Sequence, residues 1–317
     1  MTLELRGLHH VTAISAQIRN NHHFYTRTLG MRLVKRSVNQ DDVGAWHLFY
    51  ADARGTPGTD LTFFDWAMAP EQRGTRAISR TGLRVAGQES LEWWAEHLKE
   101  QGRAPGPVVE RDGRLVLDFD DPEGQRLTLM DDAGQGSAFP WDRSPVPTEH
   151  QIRGLGPIQL SVPTLAPTDA LLQRVIGMRA VREYPHPEHR AHTVHVYEMG
   201  PGGAGAEVHV AEQPDLPVTR QGAGGVHHVA FRSRDEDYDA WAERLNTLGV
   251  PNSGKVDRYW FRSLYFREPN GILFEIATEG PGFGVDEEME TLGEKIVLAP
   301  FLESRREQII GNLKAID

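Results

Sequence analysis

The sequence predicts an α+β fold built from four repeats of one structural plan, and two repeated patterns carry this prediction. LHHVTAIS at 8–15 and VHHVAFRS at 226–233 both join a histidine pair to alternating apolar residues. TLGMRLVKR at 28–36 resembles VIGMRAVRE at 175–183, which begins 147 residues further along the chain. Internal similarity of this kind indicates that one folding unit recurs.

Each repeat combines a short strand, a helix that ends near a glycine, and several further strands. Apolar residues at helical spacing predict the helices of the second and fourth repeats: Leu91, Trp94 and Leu98, then Tyr238, Trp241 and Leu245. Apolar–polar alternation between glycine and proline clusters predicts the strands. The clearest are LVLDF (115–119), RLTLM (126–130), HTVHVYEM (192–199), AEVHVAE (206–212), RSLYFRE (262–268) and ILFEIAT (272–278).

The domain organisation follows from these repeats, which occupy about 7–66, 80–132, 154–212 and 224–279. The first two predict one domain over 7–132, and the last two predict a second domain over 152–279. The stretch 133–151 between them is rich in small residues and proline and is the predicted linker. Residues 280–317 lie outside the repeats and form a C-terminal extension.

Charge and composition disfavour several classes of function. The formal net charge is −11, which argues against a nucleic-acid or anionic-membrane partner. The chain has no cysteine, which removes disulfides, thiolate metal sites and cysteine nucleophiles together. No apolar run is long enough to span a bilayer, and the first residues lack the apolar segment of a signal peptide. A cytoplasmic protein is the expectation.

The histidine pairs contain two candidate metal ligands, His10 and His228. Side chains alternate along a strand, so one ring of each pair faces the concave side of the sheet, and its neighbour faces away or stands behind it. At the offset of 147 residues, His10 maps onto Pro157. The third repeat therefore lacks the residue that the first and fourth repeats share.

Glu275 is the third candidate ligand. It lies four residues after a glycine in the last strand of the fourth repeat, where the second and first repeats have Thr128 and Thr62. Two imidazoles and one carboxylate form a facial triad, which holds Fe(II) and leaves coordination positions open. The alternative is that the histidines are hydrogen-bonded strand residues and Glu275 an edge carboxylate. Its place within ILFEIA favours a metal, because burying an unpaired carboxylate is costly.

The remaining histidines are weaker candidates. His22 and His23 lie on the first helix and are expected at the surface or in packing, and His47 and His209 are expected to be strand residues. A second metal site is conceivable in HPEHRAHTVH (186–195), which has histidines at a spacing of three. That segment crosses from a proline-containing loop into a strand, so the spacing does not place the rings on one face.

Several ordered motifs resemble the ring-cleaving dioxygenases of the vicinal oxygen chelate superfamily, whose members are often labelled as glyoxalase-family proteins. The motifs are LHHVT, YADARGTPGTDLTFF, SLEWW, GVHHVAF, RYWFRSLYFREPNGILFEIAT and GFGVDEEMETLGEKIVLAP. They resemble most the para-hydroquinone 1,2-dioxygenase type. The resemblance runs from about Leu8 to about Pro300.

The resemblance implies a fold of βαβββ modules that pair into two cupped mixed-sheet barrels, the vicinal oxygen chelate fold. It also implies Fe(II) bound by His10, His228 and Glu275, although another divalent metal can replace iron in a recombinant preparation. Catechol-cleaving members draw both histidines from the C-terminal half, which Pro157 prevents here. Modules one and four are therefore expected to pair around the metal, and modules two and three to form the other barrel.

The resemblance also assigns residues around the metal. His9 and His227 match partner histidines, and either is a candidate catalytic base because imidazole titrates near neutral pH. Thr12 matches a hydroxyl of the substrate pocket.

Three more pocket residues belong to the segment RYWFRSLYFREPNGILFE. Arg258 and Tyr265 match polar residues that line the substrate pocket, and either is a candidate donor to a developing oxyanion. Trp260 stands between them and is expected to shape the pocket. A hairpin with its turn at EPNG places Tyr265 nearly opposite Glu275.

The implied function is a non-haem Fe(II) dioxygenase of aromatic compound degradation, which inserts both atoms of O₂ into a hydroquinone-like or catechol-like ring. Its partners would be a small aromatic substrate and O₂, without nucleic acid or membrane, and homo-oligomerisation stays open. One alternative is a lyase or isomerase such as glyoxalase I, but Thr62 stands at the place of its fourth ligand. The other is a metal-free ligand-binding protein of the bleomycin-resistance type, against which the two histidines and the glutamate count.

Overall fold

The computed structural model describes residues 3–316, which contain sixteen strands and five α-helices. The strands before the linker are β1 (Leu8–Ser15), β2 (Arg32–Val38), β3 (Trp46–Ala51), β4 (Asp60–Asp65), β5 (Ala77–Val85), β6 (Val109–Arg111), β7 (Arg114–Asp120) and β8 (Arg126–Asp131). Those after it are β9 (Gly154–Val162), β10 (Arg179–Pro185), β11 (Thr193–Glu198), β12 (Glu207–Glu212), β13 (Val226–Ser233), β14 (Val256–Asp257), β15 (Arg262–Arg267) and β16 (Leu273–Thr278). The helices are α1 (Ile18–His23), α2 (Gly87–Glu100), α3 (Leu165–Ala170), α4 (Tyr238–Thr247) and α5 (Arg306–Gly311).

The strands form two curled mixed sheets of eight strands each. The first has the order β14-β15-β16-β13-β1-β4-β3-β2, and the second has the order β10-β11-β12-β9-β5-β8-β7-β6. The predicted α+β fold class and its repeated modules are confirmed. In the first sheet β1 pairs antiparallel with β13, and in the second β5 pairs antiparallel with β9. Each sheet therefore takes its strands from both halves of the sequence.

The helices pack the core as their apolar spacing predicts. Trp94 on α2 and Trp241 on α4 are both fully buried, together with Leu98 and Leu245 one turn further along. Burial of such large apolar side chains is the main stabilising contribution to a fold of this size. No helix among residues 3–316 combines the length and the hydropathy of a membrane span.

The segment between β4 and β5 connects the first two modules, and the segment between β12 and β13 connects the last two. These two connecting segments pair with each other. Isolated bridges join Pro70 to Ala223, Gln72 to Arg220, and Thr75 to Val218. The backbones approach so closely that a Cβ on Gly74 would lie 2.0 Å from the carbonyl oxygen of Pro217. Glycine is required at this crossing because any side chain would collide with the backbone.

The C-terminal extension covers the β2 edge of the first sheet. The backbone N–H of Val297 donates to the carbonyl of Arg36 over 2.9 Å, and Ile296 forms a bridge with Arg36. The ammonium of Lys35, which is fully buried, lies 2.6 Å from Oδ1 of Asp286 and also contacts Glu287. The extension thus protects an exposed sheet edge, which would otherwise be open to pairing with another chain.

Candidate active site

Three neighbouring strands of the first sheet bring His10, His228 and Glu275 together. Nε2 of His10 lies 3.3 Å from Nε2 of His228 and 3.2 Å from Oε2 of Glu275. Nε2 of His228 lies 3.0 Å from the same carboxylate oxygen. All three side chains are buried, and their ligand atoms lie within 4.8 Å of one another. This spacing suits three ligands of one metal ion.

The carboxylate of Glu275 has one satisfied oxygen and one unsatisfied oxygen. Oε1 accepts a hydrogen bond from the hydroxyl of Ser263, whereas Oε2 is buried without a hydrogen-bond partner. Burial opposes ionisation of Glu275, but His10 and His228 outweigh it and hold the pKa of the carboxyl well below its usual range. A buried carboxylate oxygen without a donor is costly, so the site fits a cation at this point.

A hydrogen-bonded chain behind His10 fixes the protons of its ring. Nε2 of His9 lies 3.0 Å from the carbonyl oxygen of Thr278, and Nδ1 of His9 lies 2.9 Å from Nδ1 of His10. Burial and the neighbouring His10 lower the pKa of His9 to about 3, so its ring is neutral at pH 7. A carbonyl only accepts, so His9 carries its hydrogen on Nε2, and its Nδ1 accepts from Nδ1 of His10. In its neutral form, His10 then carries the lone pair on Nε2, the atom that faces Glu275.

His228 has the same kind of partner. Nδ1 of His227 lies 2.8 Å from Nδ1 of His228, and burial together with His228 lowers the pKa of His227 to about 3. The His227 ring packs edge-on against Phe64 and Trp66. Each candidate ligand is therefore backed by the histidine that precedes it in the sequence.

Register shifts between β1 and β13 explain how adjacent histidines meet. Along β1, Leu8 and His10 face consecutive residues of β13, which leaves His9 as an extra residue. Along β13, His228 and Val226 face consecutive residues of β1, which leaves His227 extra. Such β-bulges interrupt the strict alternation of side chains and re-aim them, often beside active sites. His9 and His227 consequently stand behind His10 and His228.

A cavity opens beside the three candidate ligands. Its wall includes His10 and His228 and combines aromatic with polar side chains, namely Phe49, Phe64, Trp260, Phe261, Asn39, Gln40, Asp41, His47, Arg258 and Tyr265. Of the residues expected in the pocket, Arg258, Trp260 and Tyr265 line it. An amphipathic cavity of this kind is typical of a small-molecule site.

Three expected pocket residues do not line the cavity. His9 and His227 lie behind His10 and His228, and Nδ1 of each is engaged by the Nδ1 of the ring in front. Thr12 is fully buried, and its hydroxyl lies 2.8 Å from that of Thr62. The bulges account for the two histidines, and the parallel pairing of β1 with β4 accounts for Thr12, because it places Thr12 beside Thr62.

Tyr265 and Arg258 form a polar pair at the cavity wall. Tyr265 pairs with Glu275 across β15 and β16, as the EPNG hairpin predicts. Nε of Arg258 donates to the phenol oxygen over 3.1 Å, and a terminal nitrogen of the same guanidinium donates to Asp41 over 2.8 Å. Burial and the charge of Glu275 raise the pKa of Tyr265, so the phenol keeps its proton at neutral pH.

Trp260 is held by the C-terminal extension. Its indole Nε1 donates to Oδ2 of Asp286 over 2.9 Å, and Lys35 bonds the other oxygen of that carboxylate. The Phe283 ring packs against Trp260 and Phe49. The extension therefore supports one wall of the cavity.

His47 is a polar cavity residue that the sequence analysis did not assign to the site. It lies on β3, as expected, but its ring also reaches the cavity, and Nε2 lies 3.0 Å from the hydroxyl of Thr62. Burial, followed by the nearby His10 and His228, lowers the pKa of His47 well below its ordinary value. The sequence signal that could have indicated His47 is the correspondence between the hairpin at 46–65 and the hairpin at 262–278, which carries Tyr265 and Glu275.

The other histidine-rich segment holds no comparable site. The rings of His186, His189 and His192 are neighbours, but Nδ1 of His186 accepts backbone N–H groups and Nε2 of His192 lies 2.6 Å from Asp215. A further cluster in the second sheet, Asp112, Glu207 and His209, has its carboxylates bonded to Arg114 and Arg182. Carboxylates already paired with guanidinium groups have little capacity left for a metal.

Comparison with known proteins identifies the family. Residues 7–129 and 154–276 both match the family described as the Glyoxalase/Bleomycin resistance protein/Dioxygenase superfamily. The chain belongs to this superfamily. Each match begins at the first strand of a sequence half, so this chain carries the family's domain twice.

Relatives within the superfamily cover the whole chain. It is 47% identical to MhqA of Bacillus subtilis (strain 168), provisionally named as a ring-cleaving dioxygenase, over 99% of this chain and 100% of the relative. It is 30% identical to the chlorohydroquinone/hydroquinone 1,2-dioxygenase of Sphingobium indicum, over 98% of this chain and 96% of that protein.

Solved structures from the superfamily agree with the fold. A provisionally named dioxygenase from Bacillus subtilis superposes with a TM-score of 0.91 at 33% identity, covering 100% of this chain and 99% of its own. Glyoxalase I from Zea mays superposes with a TM-score of 0.65 at 14% identity, covering 89% of this chain and 96% of its own. The second likeness shows the shared fold alone.

Proposed function

We propose that this protein is a ring-cleaving dioxygenase that holds divalent iron through His10, His228 and Glu275 and opens a dihydroxy-aromatic ring with O₂. The observation that carries the proposal is the convergence of Nε2 of His10 and Nε2 of His228 on Oε2 of Glu275, which is buried without a hydrogen-bond partner. A metal ion among these three atoms would bind both imidazoles and satisfy the buried carboxylate oxygen. The full-length similarity to ring-cleaving dioxygenases supports the choice of reaction.

The ligand set determines which metal chemistry the site suits. Iron bound by two neutral imidazoles and one carboxylate would supply the adjacent open positions at which an ionised ring hydroxyl and O₂ meet. The protein's part is to hold both imidazoles in the orientation that a metal needs. His9 and His227 do this by bonding Nδ1 of each ligand, which leaves Nε2 free to bind the metal.

Tyr265 and Arg258 are the groups placed to act on the substrate oxygens. Because Nε of Arg258 donates to the phenol oxygen of Tyr265, the phenol hydrogen stays available to donate into the cavity. A donor that is fixed before the reaction stabilises negative charge on oxygen without reorganisation. The guanidinium of Arg258 also favours an ionised substrate, and Trp260 limits the space available to the ring.

The structure offers no support for the two alternative functions. A glyoxalase I-type site needs a fourth protein ligand, but the hydroxyl at that place, on Thr62, is engaged by Thr12 and His47. A metal-free binding protein would leave Oε2 of Glu275 buried and unpaired. Both observations favour the proposed iron site over these alternatives.

Anaerobic reconstitution with Fe(II), followed by oxygen-electrode measurements, tests the proposal. Oxygen uptake is expected on substituted hydroquinones or catechols, in proportion to the bound iron, and with loss of the aromatic absorbance. Glu275→Ala is the matched control, because it removes one ligand and should abolish both iron retention and uptake. Iron-independent uptake, or full iron binding by Glu275→Ala, would contradict the proposal.

A further inference from the structure

His47 lies in the cavity wall but has no part in the chemistry described above. Its Nε2 is 3.0 Å from the hydroxyl of Thr62, and among residues 3–316 no protein group hydrogen-bonds its Nδ1. The ring is only partly buried, because it faces the cavity. One polar ring atom is therefore left for whatever occupies the cavity.

The two hairpins of the first sheet show where His47 stands in the repeat. In module four, Tyr265 pairs with Glu275, and Ser263 lies two residues before Tyr265 on the same strand. In module one, Phe49 pairs with Thr62, and His47 lies two residues before Phe49. His47 is thus the counterpart of Ser263.

The hydrogen bonds follow the same correspondence. Ser263 donates to the carboxylate of Glu275, and His47 bonds the hydroxyl of Thr62, which stands at the equivalent position. The single O–H donor of Ser263 is engaged by the carboxylate of Glu275. The imidazole is larger, and it has a second ring nitrogen beyond the one that Thr62 engages. This extra nitrogen distinguishes module one from module four.

Neighbouring side chains hold the His47 ring in one orientation. Its ring centroid lies 3.9 Å from that of Phe49 and 4.5 Å from that of Phe64. The hydroxyl of Thr62 is itself held 2.8 Å from that of Thr12. Rotation of the imidazole would break the bond to Thr62, so Nδ1 keeps its direction. A fixed polar atom in an aromatic wall is suited to recognising a polar group on an aromatic ligand.

We propose that His47 is a specificity-determining residue whose Nδ1 hydrogen-bonds the ring hydroxyl that is not bound to the metal. This inference rests on the proposed function and names a contact that selects dihydroxy-aromatic over monohydroxy-aromatic rings. A phenol hydroxyl both donates and accepts, and the Thr12–Thr62 hydroxyl pair accommodates either neutral form of the imidazole. Thr62, and Thr12 through it, act as positioning residues for His47.

Two variants separate the ligand contact from a purely structural role. The amide of His47→Asn takes the place of Nδ1, so the contact to the ring is retained while the bond to Thr62 is lost. The amide of His47→Gln takes the place of Nε2, so the bond to Thr62 is retained while the contact to the ring is lost. Both variants are expected to bind iron as the wild type does, because His47 is outside the triad.

The measurement is calorimetric binding of phenols to the Fe(II)-loaded protein without oxygen. Hydroquinone is compared with 4-methylphenol, and catechol with 2-methylphenol, so each pair differs by the second hydroxyl and its ring position. In the wild type, one of the two pairs should show about a tenfold higher affinity for the dihydroxy ring. This is the size expected for one hydrogen bond to the second hydroxyl. His47→Asn should keep most of that preference, and His47→Gln should abolish it with little change in affinity for the methylphenols.

Two outcomes would overturn the assignment. One is a wild-type preference that persists in His47→Gln, and the other is an equal loss of preference in both variants, which a structural role would produce. Failure of the proposed function has a different signature, since the wild type would then show no iron-dependent oxygen uptake with any ring. If the wild type takes up oxygen but His47→Gln keeps the preference for dihydroxy rings, only the role assigned to His47 is wrong.

Discussion

At the scale of single residues, the site is defined by atoms whose hydrogen-bonding needs the protein leaves unmet. Oε2 of Glu275 is buried without a hydrogen-bond partner, and Nε2 of His10 and Nε2 of His228 both point at it. The three candidate ligands were predictable from the repeat, since each stands where another module has a different residue. The missing hydrogen-bond partner of Oε2 of Glu275 was not predictable, because it depends on distances between side chains on three strands.

Tyr265→Phe should keep the iron but lower turnover about 10²-fold, the lower end for removing one preorganised donor. The reason is that the phenol contacts the substrate side of the cavity and is not among the ligand atoms. Iron content and oxygen uptake measured on the same preparation check this. Arg258→Ala is the companion variant, and it should mainly raise KM, because its charge attracts the ionised ring. Wild-type turnover or loss of iron in Tyr265→Phe would each show that its role is wrong.

His9→Ala should weaken iron binding about 10- to 100-fold, the usual effect of removing the partner that orients a metal-binding histidine. His9→Asn is the matched control, because its amide oxygen can still accept from Nδ1 of His10. Iron affinity is measured by competition with a chelator under anaerobic conditions. Equal affinities for the two variants and the wild type would show that the chain behind His10 does not prepare the ligand.

At the scale of elements, the bulges in β1 and β13 and the hairpin of β15 and β16 build the site. The hairpin was predictable, because EPNG marks the turn and the turn sets which residues face one another. The bulges were not, because an extra residue in one strand is defined only by its partner strand. For that reason the exact places of His9 and His227 were not predictable, and Thr12 lies away from the cavity because β1 pairs with β4 beside Thr62.

Lys35→Met should lower the free energy of unfolding by about 3–5 kcal/mol, as expected when one partner of a buried ion cluster is removed. Asp286 and Glu287 would be left as nearly buried carboxylates beneath the C-terminal extension. Urea denaturation at neutral pH measures the change. Lys99→Met removes an exposed pair with Glu96 and should change the unfolding free energy by less than about 0.5 kcal/mol. A similar small effect for both substitutions would mean that the extension is not held through Lys35.

At the scale of the whole molecule, the sheets join modules across the two halves of the sequence. Pro157 made this arrangement predictable, because the third module has no histidine to offer a partner. The crossing of the segments around Gly74 and Gly222 was not predictable, because backbone bridges leave no pattern of side chains. Glu71 lies in this crossing, where a Cβ on Gly225 would collide with its carboxylate.

Glu71 should make the stability of the protein fall as the pH rises. Burial raises the pKa of its carboxyl from 4.5 to about 7, against the opposing charges of Arg126 and Arg73. Between these two values the folded protein binds more protons than the unfolded chain, so the free energy of unfolding decreases with increasing pH. Glu71→Gln is the reference variant, because its amide does not take up or release a proton in this pH range. Relative to the variant, the wild type should lose stability between about pH 5 and about pH 8 in urea denaturation. A constant difference across that range would contradict the prediction.

The central claim is that one iron ion binds at the meeting point of His10, His228 and Glu275. Anomalous diffraction at the iron edge, from crystals grown and loaded without oxygen, tests it most directly. The predicted result is a single peak about 2.0–2.2 Å from Nε2 of both histidines and from a carboxylate oxygen of Glu275, with Nδ1 of each histidine still bonded to His9 or His227. Iron bound elsewhere, or a loaded site from which Glu275 turns away, would contradict the account.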